Sequence, residues 1–303
     1  MFGRSRSKSV RSTGRERPAF ERLDLADLHF ADEMPEGRSV DLPGRGSAFV
    51  RMASGPAGAP TVLLVHGLFA TADLNWSTAI PELATRFNVI APDLRGHGRG
   101  LPTRRFSGAE CADDLAAIVR ALEAGRVIVV GYSLGGLVAQ VFARRHPELL
   151  AGLVLCATAS RFRIPTEKGL VRFVMKAARR APERVRRAAM ITAMKPRSAD
   201  CERGRWLMNQ VRHHDTGALL DAVAELGGFD SGGWLGETDR PSAVIVMTQD
   251  TTVSAEAQHD LARALRRCSV HEVEGDHFVC VKRPSEFNAV LVDACAGVFA
   301  QVS

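Results

Sequence analysis

Short apolar runs alternate along this sequence with longer stretches in which apolar residues recur every three or four positions. The runs are typical of buried β-strands, and the longer stretches are typical of amphipathic helices. Strands are predicted near residues 61–65, 88–92, 126–131, 151–156, 242–247 and 269–273, and helices near 77–86, 109–124, 134–145 and 256–266. A hairpin is predicted before them, at residues 39–51. This alternation predicts a mostly parallel sheet with helices on both faces.

The alternation stops near residue 160 and resumes near residue 240. The intervening stretch is helical in pattern and rich in arginine. It predicts a helical cap, residues 161–239, inserted after the sixth strand of an α/β core formed by residues 18–160 and 240–303. One cap segment shows helical spacing of its apolar side chains, at Leu170, Phe173, Val174, Ala177 and Ala178. We expect the apolar residues of the cap to cover the functional site.

The predicted strand near residues 126–131 runs into Gly131-Tyr132-Ser133-Leu134-Gly135 and then into a helix. A G-x-S-x-G motif between a strand and a helix is the context in which a nucleophilic serine is held in a tight, strained turn. The flanking glycines allow the close backbone approach that this turn needs. A glycine-rich turn that only packs closely or binds phosphate is the alternative, but no P-loop Gly-Lys-Ser or Gly-Lys-Thr follows. Because a serine hydroxyl is a weak nucleophile, Ser133 requires a base.

His277 is the predicted base, because it lies in a loop just after the strand-like run at residues 269–273. The other histidines are interpreted as structural or surface residues. We expect His213 and His214 to be solvated, His146 to lie at a helix end, and His66 to hydrogen-bond its own loop. His29, His259 and His271 are expected on the surface or on a strand face.

Asp250 is the predicted acid, because it follows the buried strand near residues 242–247 and precedes His277 by one helix and one strand. A carboxylate there would orient the imidazole and stabilise it once protonated. Asp276 is a rival, although adjacent residues rarely point at one another. Asp230 and Asp239 are weaker rivals, because no strand precedes them.

Two backbone amides are candidates for an oxyanion hole. The amide of Leu134 follows the serine, and the amide of Leu68 follows the apolar strand near residues 61–65. The apolar residues around Ser133 predict a hydrophobic pocket that would suit an acyl chain. The predicted substrate contacts are Phe69, Tyr132 and Phe278.

These motifs together resemble those of the α/β-hydrolase fold superfamily, in its serine-nucleophile esterase and lipase-like branch. The matching segments, in order, are His66-Gly67-Leu68, Asp93-Leu94-Arg95-Gly96-His97-Gly98, Gly131 to Gly136, Asp250 and Gly275-Asp276-His277-Phe278. The resemblance covers residues 40–300 and is weakest over 161–239. It implies a Ser–Asp–His triad and a structural role for residues 93–98. A serine nucleophile argues against the dehalogenase and epoxide-hydrolase branches, which carry aspartate.

The charge distribution and the composition predict possible binding partners and a cellular compartment. The net charge is +6, and residues 161–205 hold fourteen Lys/Arg against four Asp/Glu. A basic cap suits an anionic membrane surface or an acyl carrier protein, and solvated arginines around an apolar face are the alternative. Residues 1–17 are rich in arginine and serine, and this composition predicts a disordered basic tail. No nucleic-acid module, metal-ligand spacing or cofactor motif is recognisable, and six scattered cysteines without a signal peptide favour the cytoplasm.

The leading hypothesis is a serine hydrolase that cleaves a small-molecule carboxylic ester with a lipophilic acyl group through an acyl-enzyme. Similar families use the same triad for thioester or acyl-carrier ester hydrolysis, C–C bond hydrolysis, peracid formation and acyl transfer. A ligand-binding protein of the same fold is the non-catalytic alternative. The presence of Ser133, Asp250 and His277 together argues against that alternative.

Overall fold

The computed structural model describes residues 24–103, 105–162, 176–195 and 200–302. Within these residues eight strands form one sheet: β1 (Gly37–Leu42), β2 (Gly46–Ala53), β3 (Thr61–Val65), β4 (Asn88–Pro92), β5 (Val127–Tyr132), β6 (Leu150–Cys156), β7 (Ser242–Met247) and β8 (Cys268–Val273). Their order across the sheet is β1-β2-β4-β3-β5-β6-β7-β8. Strand β2 is antiparallel to β1 and β4, and the other neighbours are parallel. The predicted eight-stranded, mostly parallel sheet is confirmed.

Helices cover the sheet on both sides. Those described from end to end are α1 (Ala72–Trp76), α2 (Ala79–Ala84), α3 (Gly108–Ala121), α4 (Leu134–Arg145), α5 (Glu183–Met194), α6 (Glu202–Arg212), α7 (Thr216–Gly228), α8 (Ala255–Ala264), α9 (Val279–Lys282) and α10 (Pro284–Phe299). The side chains of β3 divide between two cores, as a pleated strand requires. Leu63 and Val65 belong to the cluster with α3 and α4, and Val62 and Leu64 to the cluster with α1, α2 and α10.

The helix predicted near residues 77–86 is present as α2, Ala79–Ala84. A short helix that was not predicted, α1, precedes it, and a break at Ser77 and Thr78 separates the two. Pro81 explains the break, because a proline ring clashes with the carbonyl four residues earlier in a continuous helix, here that of Ser77. In the first turn of α2 the missing proline N–H costs nothing, since that N–H would have no intrahelical partner.

Helices α5, α6 and α7 lie between β6 and β7, in the stretch predicted as a cap. Helix α5 has no buried residue, whereas α7 buries Leu219, Ala222 and Leu226. Leu170, Phe173 and Val174 lie outside the described residues, as does the predicted basic tail. The division into core and cap therefore stays a prediction. Across the described ranges, no helix combines the length and the apolar character that crossing a membrane requires.

Three chemistry-bearing residues follow parallel strands at the same edge of the sheet. Ser133 comes directly after β5, Asp250 lies just beyond β7, and His277 lies just beyond β8. The carboxyl ends of parallel strands are where open α/β sheets place their ligands. The fold therefore brings together residues that are far apart in the sequence.

Candidate active site

Ser133 occupies the turn between β5 and α4 with φ 53° and ψ −114°. A positive φ is strained for a residue with a Cβ and costs on the order of 1–3 kcal/mol. The flanking glycines make the turn sterically feasible. A Cβ on Gly135 would lie 2.1 Å from the carbonyl oxygen of Val65, and a Cβ on Gly131 would lie 2.4 Å from that of Gly135. Strand β3, strand β5 and helix α4 are thereby packed closely enough to project Ser133 from the sheet edge.

The imidazole of His277 reaches the serine from the loop after β8. Its Nε2 lies 3.0 Å from Ser133 Oγ. The buried phenol of Tyr132 donates a hydrogen bond of 2.9 Å to the backbone carbonyl of His277. This contact connects the residue before the serine to the loop that carries the histidine.

The carboxylate of Asp250 completes a chain of three side chains. Its Oδ2 lies 2.7 Å from His277 Nδ1, and the Asp250 side chain has no exposed surface. Its Oδ1 accepts hydrogen bonds from the amides of Thr252 at 2.7 Å and Val253 at 2.9 Å. These donors balance the cost of burying a carboxylate.

The hydrogen-bond geometry determines where the imidazole carries its proton. An ionised carboxylate only accepts, so Nδ1 of His277 donates to Asp250. In a neutral imidazole the other nitrogen, Nε2, is then an acceptor, and it faces the hydroxyl of Ser133. The arrangement is able to take a proton from the serine.

The loop after β3 lies directly against the serine. A Cβ on Gly67 would be 3.5 Å from the Cβ of Ser133. His66 Nε2 accepts the amide of Leu94 at 2.9 Å, so its Nδ1 carries the proton and donates to the carbonyl of Gly67 at 2.8 Å. Because the peptide is planar and trans, the N–H of Leu68 points away from that carbonyl. His66 therefore sets the direction of the amide that was predicted as an oxyanion donor.

The amide of Leu134 is the first of helix α4. An N–H at this position has no carbonyl one turn earlier to receive it, and it lies at the positive end of the helix dipole. It is therefore available to an anion that forms at Ser133.

A cavity of about 700 Å³ opens beside Ser133 and His277. Its apolar lining comes from the core loops and from the stretch between β6 and β7: Leu68, Phe69, Phe162, Leu226, Val253, Ala257 and Phe278. Polar and charged residues also line it: Arg161, Thr251, Thr252, Ser254 and Glu256. Leu226 and Phe162, from the stretch between β6 and β7, are almost fully buried, and their side chains form an apolar part of the cavity wall.

Residues 60–284 match the model of a family described as alpha/beta hydrolase fold. The chain belongs to this family. An uncharacterised protein of Mycobacterium tuberculosis is 41% identical over 113 residues, which are 37% of this chain and 32% of that protein. A pimeloyl-[acyl-carrier protein] methyl ester esterase of Sodalis glossinidius is 40% identical over 101 residues, 33% of this chain and 37% of that enzyme. The chain thus spans about a third of the length of these curated relatives.

A solved structure supports the same fold. The thermophilic esterase of Thermogutta terrifontis superimposes with a TM-score of 0.69 at 24% identity, covering 87% of this chain and 99% of that enzyme. At this identity the likeness shows the α/β-hydrolase fold and not a shared substrate.

Among the predicted substrate contacts of this α/β-hydrolase, Phe69 and Phe278 line the cavity and Tyr132 does not. Tyr132 is 3% exposed, and its ring packs edge-on against Trp76 and Phe287 in the core. The prediction of a substrate contact at Tyr132 is therefore corrected. The side chain packs among core aromatic rings and against the His277 ring, and its hydroxyl donates to the backbone carbonyl of His277.

The expectation that His214 is solvated is wrong. His214 is fully buried, accepts the amide of Gly98 at 3.0 Å through Nδ1 and contacts the carbonyl of Phe69 at 3.2 Å through Nε2. It follows the end of α6, where the chain turns inward to begin α7. The neighbouring His213 is exposed, as predicted.

The rival acids have other partners. Asp276 contacts Lys282 Nζ at 2.6 Å and the amide of Phe278 at 2.9 Å. Asp230 pairs with Arg161. The carboxylate that contacts the His277 ring is that of Asp250, whose Oδ2 lies 2.7 Å from Nδ1.

The sequence interpretation overlooked two side chains, Asn75 and Gln258. Asn75 Oδ1 accepts the amide of Gly67 at 2.9 Å and thereby holds the loop that carries Leu68. The Nε2 of Gln258 lies 3.4 Å from Asp250 Oδ2. A signal was present for Gln258, because it shares the buried stripe of α8 with Leu261 and Ala262 at helical spacing. A polar residue within an apolar stripe indicates a buried hydrogen-bonding role.

Proposed function

We propose that this protein is a serine hydrolase that cleaves a carboxylic ester. The observation that carries the proposal is the hydrogen-bonded chain from Asp250 through His277 to Ser133, with contacts of 2.7 and 3.0 Å. Membership of the α/β hydrolase fold family and the esterase among its relatives support the same reading.

The proposed reaction starts with the Ser133 hydroxyl. Its oxygen attacks the ester carbonyl while its proton moves to His277 Nε2, and Asp250 stabilises the imidazolium that forms. The negative charge that develops on the carbonyl oxygen is received by the amides of Leu68 and Leu134. His277 then gives its proton to the departing alcohol, and an acyl group remains on Ser133. Water, activated by the same imidazole, releases the acid.

The cavity supports an apolar acyl group in the substrate. Its walls near the serine are leucine, valine and phenylalanine side chains, and burying apolar substrate surface there contributes about 25 cal/mol per Å². A volume of about 700 Å³ is in the range of pockets that enclose a small molecule.

Labelling with a fluorophosphonate tests the nucleophile. We expect the folded protein to gain one covalent adduct, which peptide mass spectrometry locates on Ser133, because the probe reacts with serines activated by a neighbouring base. The variant His277→Ala serves as the control, since it keeps the serine and removes the base, and it should label far more slowly. A folded protein that takes up no label would contradict the proposal and favour the non-catalytic alternative.

A second candidate substrate is an acyl ester bound to an acidic carrier protein. The observation that favours it is the charge between β6 and β7, where residues 176–195 and 200–212 hold ten Lys/Arg against three Asp/Glu. Lys176, Arg180 and Arg184 are exposed there. The related enzyme of Sodalis glossinidius carries acyl-carrier protein in its name.

Charge reversal in this basic stretch tests the carrier candidate. We expect Arg180→Glu with Arg184→Glu to lower kcat/KM on a carrier-bound ester by about tenfold at low salt, because complementary charges steer association. Hydrolysis of a free p-nitrophenyl ester should not change. The matched control is Arg266→Glu, an exposed arginine after α8. Equal effects of the two reversals on the carrier-bound ester, or rates that do not depend on salt, would exclude docking through this surface.

A further inference from the structure

Gln258 is a buried polar side chain on helix α8, next to the proposed acid. Gln258 has no exposed surface, although glutamine is usually found at protein surfaces. Its Oε1 accepts the backbone amide of Met247, at the end of β7, at 3.1 Å. Its Nε2 donates to the carbonyl of Val253 at 2.8 Å. One carboxamide thus joins both ends of the segment that carries Asp250.

These two backbone contacts determine which way the carboxamide faces. The amide of Met247 is a donor and must meet the oxygen, and the carbonyl of Val253 is an acceptor and must meet the nitrogen. The –NH₂ group has a second hydrogen, and Asp250 Oδ2 lies 3.4 Å from its nitrogen. The orientation toward Asp250 therefore does not depend on an arbitrary choice between oxygen and nitrogen.

Asp250 Oδ2 is shared between two donors. It receives the Nδ1–H of His277 at 2.7 Å and faces Gln258 Nε2, while Oδ1 is occupied by the amides of Thr252 and Val253. If the Gln258 donor were absent, Oδ2 would lose one of its two hydrogen-bond donors. Because the Asp250 side chain has no exposed surface, solvent would not replace that donor. The carboxylate would then be freer to rotate away from the imidazole.

We infer that Gln258 is a positioning residue for the triad. It holds the carboxylate plane of Asp250 so that Oδ2 stays directed at His277 Nδ1, and it stabilises the negative charge that the imidazolium requires. This inference rests on the proposed serine-hydrolase function. Asp250, from the loop after β7, is the titratable group that contacts the Gln258 carboxamide, and His277, from the loop after β8, contacts the same Asp250 oxygen. The test uses this arrangement.

The chain offers a matched control in Gln140 on α4. Gln140 is also fully buried, and its carboxamide bridges backbone carbonyls of Gly136 and Ala159 and accepts the hydroxyl of Ser231. Within the described part of the chain, its hydrogen-bond partners are Gly136, Ala159 and Ser231 and do not include Asp250 or His277. The same substitution there therefore measures the cost of losing a buried glutamine alone.

The experiment compares Gln258→Met and Gln258→Glu with Gln140→Met and Gln140→Glu, with activity normalised to folded protein by circular dichroism. We expect Gln258→Met to lower kcat on a p-nitrophenyl ester about tenfold with KM within about twofold, because a hydrogen bond to a charged group is removed from the catalytic step. Gln140→Met should leave kcat of the folded fraction unchanged.

The glutamate variant supplies a pH readout that a structural role would not produce. In the Gln258→Glu variant the introduced carboxyl group and the Asp250 carboxylate share one proton at low pH. The new side chain therefore still donates a hydrogen bond to Oδ2 of Asp250. As the pH rises the second carboxyl ionises and repels Asp250. The kcat ratio of Gln258→Glu to the unmodified enzyme should therefore fall by about fivefold or more between pH 6 and pH 9. The corresponding ratio for Gln140→Glu should stay flat.

The outcomes separate this inference from the proposed function. If Ser133→Ala abolishes turnover while the Gln258 variants behave like the Gln140 variants, Gln258 is only structural and the inference is overturned. If Ser133→Ala retains full turnover, the proposed function itself fails. Should Gln258→Met not fold, Gln258→Glu carries the test, because it keeps an acceptor for the Met247 amide.

Discussion

Replacing Ser133 by alanine is expected to lower kcat on p-nitrophenyl esters by about 10⁵-fold or more. The variant removes the proposed nucleophile and leaves the proposed oxyanion donors and the cavity intact, so we expect only the slow attack of water to remain. The fold should be retained, because the change deletes one hydroxyl and keeps a Cβ at the same strained φ of 53°. Stopped assays with the purified variant, over hours and at high enzyme concentration, measure the residual rate.

The matched control for this variant is Ser285→Ala. Ser285 is an exposed serine in the first turn of α10 and is not part of the cavity lining. Its loss should change kcat by less than about threefold, in line with ordinary surface substitutions. If Ser133→Ala retained more than about a tenth of the activity, Ser133 could not be the nucleophile, and a water-based mechanism on the same fold would have to replace the proposal.

Acidification is expected to destabilise the protein strongly between pH 6.5 and pH 5. Burial lowers the pKa of His66, His97 and His214 from 6.5 to about 3 in each case. Their rings pack in a row at steep angles to one another, with centroids 5.2 Å apart for His66 and His97 and 5.4 Å apart for His97 and His214. Unfolded chains bind protons at these positions below pH 6.5 and the native state does not until about pH 3. Stability is therefore present above pH 6.5 and lost as the pH falls.

The expected size of the effect is large. Each histidine removes about 2 kcal/mol of unfolding free energy by pH 5, and three together remove up to about 6 kcal/mol. That is comparable with the whole stability of a typical domain, about 5–15 kcal/mol. Urea unfolding at a series of pH values between 5 and 8 measures it. A free energy of unfolding that stays constant over this range would show that these rings are not buried in the neutral form.

One variant isolates the contribution of a single histidine of this row. His97 donates to the carbonyl of Arg95 through Nδ1, and among the described residues its buried Nε2 has no hydrogen-bond partner. Because the side-chain –NH₂ of asparagine can replace the Nδ1–H donor, we expect His97→Asn to reduce the slope of stability against pH by about 1 kcal/mol per pH unit between pH 5 and pH 6. The control His29→Asn, at an exposed histidine, should leave the slope unchanged.

The fold class and the position of each strand were predictable because their signals are local. Buried strands such as β5 and β7 are continuous apolar runs, and their order with intervening helices allows few arrangements. The helix predicted near residues 77–86 begins only at Ala79, because in a longer helix the ring of Pro81 would clash with the carbonyl of Ser77. The short helix α1 before it was not predicted.

The candidate site was partly predictable for the same reason. Ser133, Asp250 and His277 each follow a strand, and parallel strands end at one edge of the sheet, so their convergence could be inferred from order alone. The structure places them within hydrogen-bonding distance. Their catalytic roles remain a proposal that the serine variant tests.

Strand periodicity and chain order were enough to predict the eight strands of the α/β-hydrolase sheet and the three residues at its edge. Three other features became visible only in the folded chain: Tyr132 faces the core, His214 is buried beside His97, and Gln258 contacts Asp250. Each of these depends on contacts between side chains far apart in the chain. Tertiary packing determines which polar atoms become hydrogen-bond partners, and the local pattern of apolar and polar residues does not predict those partners.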